Sequence, residues 1–291
     1  MKKVLVVGGS GFMGSHTADL LSENGYDVTI LDKVISPWLR DDQTMVVGDA
    51  MDSNVLTPAM NEIDYVFYFA GIADIAEAKV NPYKTIEANI MGLTKALDAA
   101  VKNDIAKFVY ASTMYVYSAQ GSIYRASKQA SELIIEAYQE NYQLSFVLLR
   151  YGSLYGPRSQ NWNGIKGFAR QVINHGVIEY PGNGAEIREY IHVQDAAKLS
   201  LRALHDDYKN KAITITGNQS MRVADMFSIL FEIVGKDLNV RYLDEQQVSS
   251  HYGNTPYRYT PKPSLKVVPT EFIDLGQGLL NLVEEIHNVQ P

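Results

Sequence analysis

Two groups of residues in this chain have types and spacings that can do chemistry. The first is Gly8-Gly9-Ser10-Gly11-Phe12-Met13-Gly14, which follows the apolar run Lys3–Val7 and leads into a helix-like segment. Without Cβ atoms, such a loop lets backbone amides approach a pyrophosphate resting on the positive end of the next helix. Both Gly9-x-Gly11-x-x-Gly14 and Gly8-x-x-Gly11-x-x-Gly14 fit, and a tight strand-to-helix turn is the plain alternative. Asp32, 18 residues past Gly14, ends the next apolar run. A carboxylate there accepts hydrogen bonds from an adenosine ribose and repels a 2′-phosphate, so NAD is expected over NADP, with Lys33 the neighbour that could soften the preference. Gly48-Asp49 would place a second acid near the adenine edge, or simply be a turn aspartate.

The second group is Tyr124 and Lys128. Of 19 tyrosines, only Tyr124 has a lysine four residues later, and that spacing puts both side chains on one helix face. A phenol near pKa 10 is a poor base at neutral pH. An adjacent ammonium and an oxidised nicotinamide together could lower it by roughly 3 pH units, enough to take a hydroxyl proton while hydride leaves the same carbon. Upstream, Ala111-Ser112-Thr113 closes another apolar run, where the Thr113 hydroxyl either holds the substrate oxygen or caps the chain locally.

Positioning these residues requires a parallel sheet. Apolar runs suited to buried strands lie near Lys3–Val7, Asp27–Leu31, Thr44–Val47, Tyr65–Ala70, Lys107–Ala111 and Ser145–Leu149. Helices are expected between them, at Phe12–Glu23, Asn54–Asn61, Pro82–Lys102 and Tyr124–Asn141. After Arg150 the chain is rich in Gly, Asn and Pro around one short helix, then mixes brief strands with helices near Val193–His205 and Arg222–Val234. The expected architecture is a doubly wound α/β fold: residues 1–153 as a dinucleotide-binding domain joined by returning segments near 186–216, and residues 154–291 as mainly a smaller substrate-binding cap.

Composition narrows the function. With 291 residues, 46% hydrophobic and 20% charged, the chain can bury a sizeable core. Zero cysteines exclude disulfides, thiol nucleophiles and cysteine-bound metals, and fit a reducing cytoplasm. A net charge of −7 argues against nucleic-acid binding. The basic start followed by a four-residue apolar run is too short for a signal peptide or membrane span, so the mature protein is expected to begin at Met1. Six histidines at 16, 175, 192, 205, 251 and 287 leave no pair at zinc-helix spacing, so no metal is expected, and His192 reads as a packed strand residue. No Gly-x-Ser-x-Gly elbow or Walker-type loop occurs.

Taken together, the glycines, Asp32, Gly48-Asp49, Phe69-Ala70-Gly71, Asn89-x-x-Gly92, Ser112-Thr113-x-x-Val116-Tyr117, Tyr124-x-x-x-Lys128, Leu149-Arg150-Tyr151-Gly152-x-Leu154-Tyr155-Gly156-Pro157-Arg158 and Arg188-x-Tyr190-Ile191-His192-Val193-x-Asp195 resemble the extended short-chain dehydrogenases/reductases, the NAD-dependent nucleotide-sugar epimerase and dehydratase group. The resemblance spans nearly the whole chain. It implies a modified Rossmann domain, a C-terminal cap for a nucleotide-diphosphate sugar, and a homodimer through the two long helices. It further implies Thr113, Tyr124 and Lys128 as catalytic residues. Cofactor contacts would come from Gly8, Gly11, Phe12, Met13, Gly14, Asp32, Lys33, Asp49, Ala50, Ala70, Gly71, Asn89, Tyr124, Lys128 and Tyr151, and substrate contacts from Ser112, Thr113, Arg188 and Arg258. Arg188 would grip the diphosphate.

Departures from the family pattern bear on the reaction. The family's 4,6-dehydratases carry Asp and Glu directly after the catalytic threonine, where this chain has Met114 and Tyr115. Neither supplies the acid/base pair that elimination needs. Ser118 to Ile123 is shorter than the loop relatives usually have beside the sugar, and Ser153 replaces a ligand-contacting asparagine. The expected chemistry is oxidation at C4 without dehydration, as a 4-epimerase or a 4-dehydrogenase. A fainter resemblance is to GDP-heptose 4-dehydrogenases of capsule pathways, and a non-catalytic NAD sensor is the alternative from another class.

Overall fold

The computed structural model describes residues 1–243 and 253–257; Arg258 lies outside the described residues. In chain order the first half runs β1 (Lys3–Val7), α1 (Phe12–Glu23), β2 (Asp27–Asp32), β3 (Gln43–Val47), α2 (Ser53–Ala59), β4 (Tyr65–Tyr68), α3 (Ile75–Val80), α4 (Pro82–Ile86), α5 (Gly92–Lys102), β5 (Lys107–Thr113), α6 (Ser122–Tyr142) and β6 (Phe146–Tyr151). The second half comprises β7 (Ser153–Tyr155), α7 (Gly164–His175), β8 (Ile178–Tyr180), β9 (Ile187–His192), α8 (Val193–Leu201), β10 (Lys211–Ile215), β11 (Ser220–Arg222), α9 (Val223–Val234) and β12 (Val240–Tyr242).

Seven strands form one parallel sheet in the order β10-β6-β5-β4-β1-β2-β3, a doubly wound, Rossmann-like arrangement. Successive side chains of a strand point to opposite faces, so each buried strand feeds two cores. On one face Leu5, Val66, Phe108 and Leu148 pack with Leu56 of α2, Leu93 and Leu97 of α5 and Ile135 of α6. On the other, Val4, Val6, Phe67, Val109 and Val147 pack with Ala18 and Leu21 of α1 and Ala196 and Ala197 of α8. A smaller cluster of Val172, Ile178, Phe227 and Phe231 joins α7, β8 and α9, beside the short sheets β11-β9-β7 and β12-β8.

Several boundaries differ from the sequence expectations. The helix expected over Pro82–Lys102 is interrupted by a π-helical turn at Glu87–Met91, where one extra residue per turn swings Asn89 inward. Asn89 Oδ1 accepts from Ile72 N at 2.7 Å, and its Nδ2 donates to Ile72 O and Ser127 Oγ, each at 2.9 Å. β5 runs on to Thr113 because β6 continues alongside it, pairing Ser112 with Arg150 and Thr113 with Tyr151. β4 stops at Tyr68, and the chain then turns across the glycine loop. α6 begins at Ser122, two residues before Tyr124, and α8 gives way after Leu201 to a 3₁₀ turn, Arg202–Leu204. His192 ends β9 and caps α8, its Nδ1 accepting from Gln194 N at 3.4 Å.

The turn from β1 into α1 leaves no room for side chains. A Cβ on Gly14 would sit 2.3 Å from Gly8 O and 2.8 Å from Gly9 Cα, backbone atoms that cannot rotate away. Gly14→Ala should therefore lower stability by about 1–3 kcal/mol through overpacking, although alanine is the better helix former. Urea denaturation checks this: the midpoint should fall, and an unchanged midpoint would show that the turn can yield to a methyl group.

Candidate active site

The carboxyl ends of β1, β2, β4, β5 and β6 open onto one cleft of about 940 Å³, beside the point between β1 and β4 where the sheet order reverses. Open α/β sheets bind ligands at this place, and the volume suits a large ligand.

At one end lies the glycine loop. Gly8 adopts φ +80°, and a Cβ there would fall 2.7 Å from Ala70 N, so the loop packs backbone against backbone under the exit of β4. Gly11 precedes α1 without a side-chain cap, and the first turn of the helix holds no acidic residue. The start of α1 therefore presents positive polarity at the cleft with no acidic residue of its own first turn, which is the environment a pyrophosphate needs. Beyond the loop, Asp32 Oδ2 accepts from Ser10 N at 3.0 Å and Oδ1 from Val34 N at 3.4 Å. These bonds fix the carboxylate on the cleft wall with acceptor capacity to spare for a ribose diol. Lys33 is turned to Asp49, with Nζ 3.0 Å from Oδ2. Its charge is thereby partly satisfied beside Asp32. These residues fit a dinucleotide that lacks a 2′-phosphate.

At the other end, β5 delivers Thr113 and α6 delivers Tyr124 and Lys128 to the same wall. All three are buried. Thr113 Oγ1 accepts from Tyr115 N at 3.3 Å, so it caps the 3₁₀ turn Met114–Tyr117 while also lining the cleft. The Tyr124 ring meets Tyr115 edge-on at 6.0 Å and packs with Ile72, Ile75 and Ala78. Lys128 Nζ donates to Ala111 O at 2.7 Å and to Tyr110 OH at 3.1 Å. Burial pulls the Lys128 pKa down to about 8, against the opposing pull of Glu132. Such a lysine is held rigidly near the top of the strand and responds to small changes of local charge.

Nearly every expected site residue lies on this cleft, including Phe12, Met13, Ala50, Ala70, Gly71, Ser112, Tyr151 and Arg188. Asn89 is not among the residues that line the cleft. It is buried behind the wall and holds Ile72 in place instead of lining the cleft, because the π turn directs it inward. Arg188 Nη1 donates to Ile187 O at 3.1 Å and Gly253 O at 3.0 Å. Phe168, Tyr180 and Tyr190 line the cleft with Arg188; Tyr190 belongs to the Arg188-x-Tyr190 motif, and nothing in the sequence pattern pointed to Phe168 or Tyr180. Aromatic residues scattered through the second half carry no spacing signal. Glu132 and Arg150 likewise escaped notice as a functional pair, although Glu132 continues the four-residue ladder from Tyr124 and Lys128. Among the described residues there is no metal-binding cluster of His, Asp and Glu, and no helix is long and apolar enough to cross a membrane.

Comparison with known proteins agrees with this geometry. The model of the NAD-dependent epimerase/dehydratase family matches residues 4–216. A Methanocaldococcus jannaschii protein, provisionally assigned as a UDP-glucose 4-epimerase, is 30% identical over 256 residues, which is 80% of this chain and 82% of that protein. A dTDP-glucose 4,6-dehydratase of Actinoplanes sp. is 27% identical over 262 residues, again 80% of this chain and 82% of that protein. Among solved structures, a UDP-N-acetylglucosamine 4-epimerase from Methanobrevibacter ruminantium in complex with UDP-N-acetylmuramic acid superposes with a TM-score of 0.79 at 28% identity, covering 89% of this chain and 90% of that one.

The placement of Asp32 generates a test of cofactor choice. Asp32→Ala should weaken NAD binding by at least about tenfold, the scale of one charge-assisted hydrogen bond, and bring NAD and NADP affinities together. Calorimetric titration with both nucleotides reads this, and an unaltered NAD/NADP ratio would assign discrimination to another residue.

Proposed function

The chain belongs to the NAD-dependent epimerase/dehydratase family, and from that premise we propose that it oxidises C4 of a nucleotide-diphosphate sugar without 4,6-dehydration. The observation that carries this reading is the convergence of Thr113, Tyr124 and Lys128 on one wall of a cleft whose other end holds the glycine loop and Asp32. Bound NAD supplies the acceptor for the C4 hydride. Tyr124 takes the C4 hydroxyl proton, Thr113 Oγ1 holds the same oxygen, and Lys128 favours the ionised phenol from the same helix face. Arg188 and the aromatic residues around it form the end of the cleft suited to a nucleoside diphosphate, the guanidinium taking the phosphates. In this reading residues from 154 onward serve mainly the substrate.

Return of the hydride to the opposite face of the ketone would give a 4-epimer. The 4-epimerase names of the Methanocaldococcus relative and the Methanobrevibacter structure support that outcome and a UDP-sugar as substrate. Release of the ketone, with reoxidation of the cofactor by an outside acceptor, would use the same three residues. Elimination is disfavoured by the turn after Thr113. Met114 is fully buried and Tyr115 presents only a phenol, so neither position directly after Thr113 supplies a carboxylic acid to protonate a departing C6 oxygen. The proposal includes self-association through α5 and α6, and exposed Met91 in the turn before α5 and Leu133 on α6 are apolar positions it would cover.

Three experiments test the reading. Tyr124→Phe removes the base and keeps the ring, so UDP-sugar binding should persist while hydride transfer falls by at least ~10²-fold; turnover equal to wild type would place the chemistry elsewhere. Arg188→Ala should do the converse, weakening binding by roughly 1.5–3 kcal/mol with a smaller effect on the chemical step. Incubation with UDP-glucose and UDP-N-acetylglucosamine in D₂O, coupled to NMR, should show products that retain the C6 oxygen. A new C6 methyl signal would mean dehydration.

A further inference from the structure

Glu132 stands one helical turn beyond Lys128 on α6 and is buried beneath the cleft wall. Its carboxylate is fully engaged. Ser112 Oγ donates to Oε1, Arg150 Nε donates to the same oxygen at 3.0 Å, and Arg150 Nη2 donates to Oε2 at 2.6 Å. Ser112 and Arg150 are register partners on β5 and β6. Arg150 then reaches Tyr117, whose hydroxyl accepts from Nη1 and whose ring lies 4.7 Å from the guanidinium carbon. One carboxylate thus joins the end of β5 that carries Thr113, the 3₁₀ turn behind it and the helix that carries Tyr124 and Lys128.

The charge of Glu132 also bears on Lys128. Among the described residues, Lys128 meets Tyr110 from β5 and interacts with Glu132 four residues on along its own helix, with Tyr124 four residues before it; Tyr68 of β4 stacks behind Tyr110 at 6.3 Å. Burial holds the Tyr110 and Tyr68 phenols well above their usual range, so both are neutral. Glu132, itself paired with Arg150, is the carboxylate in this group, and Lys128 Nζ is bonded to the Ala111 carbonyl and the neutral Tyr110 hydroxyl.

We propose that Glu132 is a positioning residue for the reaction, holding the Ser112–Thr113 strand end against α6 and supplying the negative charge that keeps Lys128 an ammonium beside Tyr124. Its consequence for turnover rests on the C4-oxidation reading; the effect on Lys128 does not. Glu132→Gln keeps one oxygen to accept from Ser112 and Arg150 Nε but loses the acceptor for Arg150 Nη2 together with the charge, so the protonation of Lys128, and not stability, separates the two roles.

The test uses Glu132→Gln, which preserves shape and removes the charge. Competitive acylation of the ligand-free protein with a small anhydride, quantified at Lys128 by mass spectrometry from pH 6 to 10, measures the protonation of that lysine without any substrate. The half-labelling pH should lie near 8 in wild type and fall by about 1 pH unit in the variant. An unchanged value in a folded variant would overturn the proposal. Should Glu132→Gln not fold, Glu132→Gln/Arg150→Gln leaves no unpaired guanidinium and should show the same direction of shift, an unchanged value again overturning the proposal. With UDP-glucose and NAD, the pH dependence of kcat in Glu132→Gln should move in the same sense as the labelling, with KM altered less than about threefold. Wild-type protein inactive on every UDP-sugar would count against the C4-oxidation reading, and the labelling would still decide the role of Glu132.

Discussion

The rest of the site depends on a close approach of backbone to backbone at the top of β1. Gly8 lies under Ala70 and Gly14 lies over Gly8, both at separations that a Cβ would violate. This contact brings the start of α1 to the edge of the sheet and sets the floor of the cleft. Its cost is conformational: glycine loses more backbone freedom on folding than other residues, and the helix gains no side-chain cap at Gly11. Those uncapped amides are also what make the loop useful to an anionic ligand.

From that floor the two ends of the cleft are built by different means. The dinucleotide end relies on backbone amides and on Asp32, whose carboxylate is oriented by two main-chain donors. The reactive end relies on side chains crossing between elements, and there precision comes from burial. Asn89 fixes Ile72, Glu132 fixes Ser112 and Arg150, and Tyr110 with the Ala111 carbonyl fixes Lys128. Buried polar groups of this kind are costly unless fully paired, and their mutual pairing leaves few alternative arrangements.

The 3₁₀ turn Met114–Tyr117 follows directly on the strand end that brings Thr113 to the cleft. Thr113 caps that turn and lines the cleft at once, and of the two residues after it only Tyr115 reaches the cleft. Met114 points into the core and Tyr115 packs edge-on against Tyr124. With apolar and phenolic groups in those places, the turn supplies no carboxylic acid directly after Thr113, which is why the proposed reaction stops short of elimination.

Residue types read in order were enough for six of the seven parallel strands, the glycine loop followed by Asp32, and the placing of Tyr124 and Lys128 on one helix, because each is a local pattern: a buried apolar run, a loop between strand and helix, or a four-residue helical step. Met114 and Tyr115 stood out as departures by their types alone. Other features arise only in the folded chain. That Lys33 answers Asp49, that Asn89 turns behind the wall through a π-helical turn, and that Glu132 binds Ser112 and Arg150 all join segments distant along the chain. Linear spacing carries no signal for such contacts. They exist only once the strands are in register and burial obliges each polar group to find its partner.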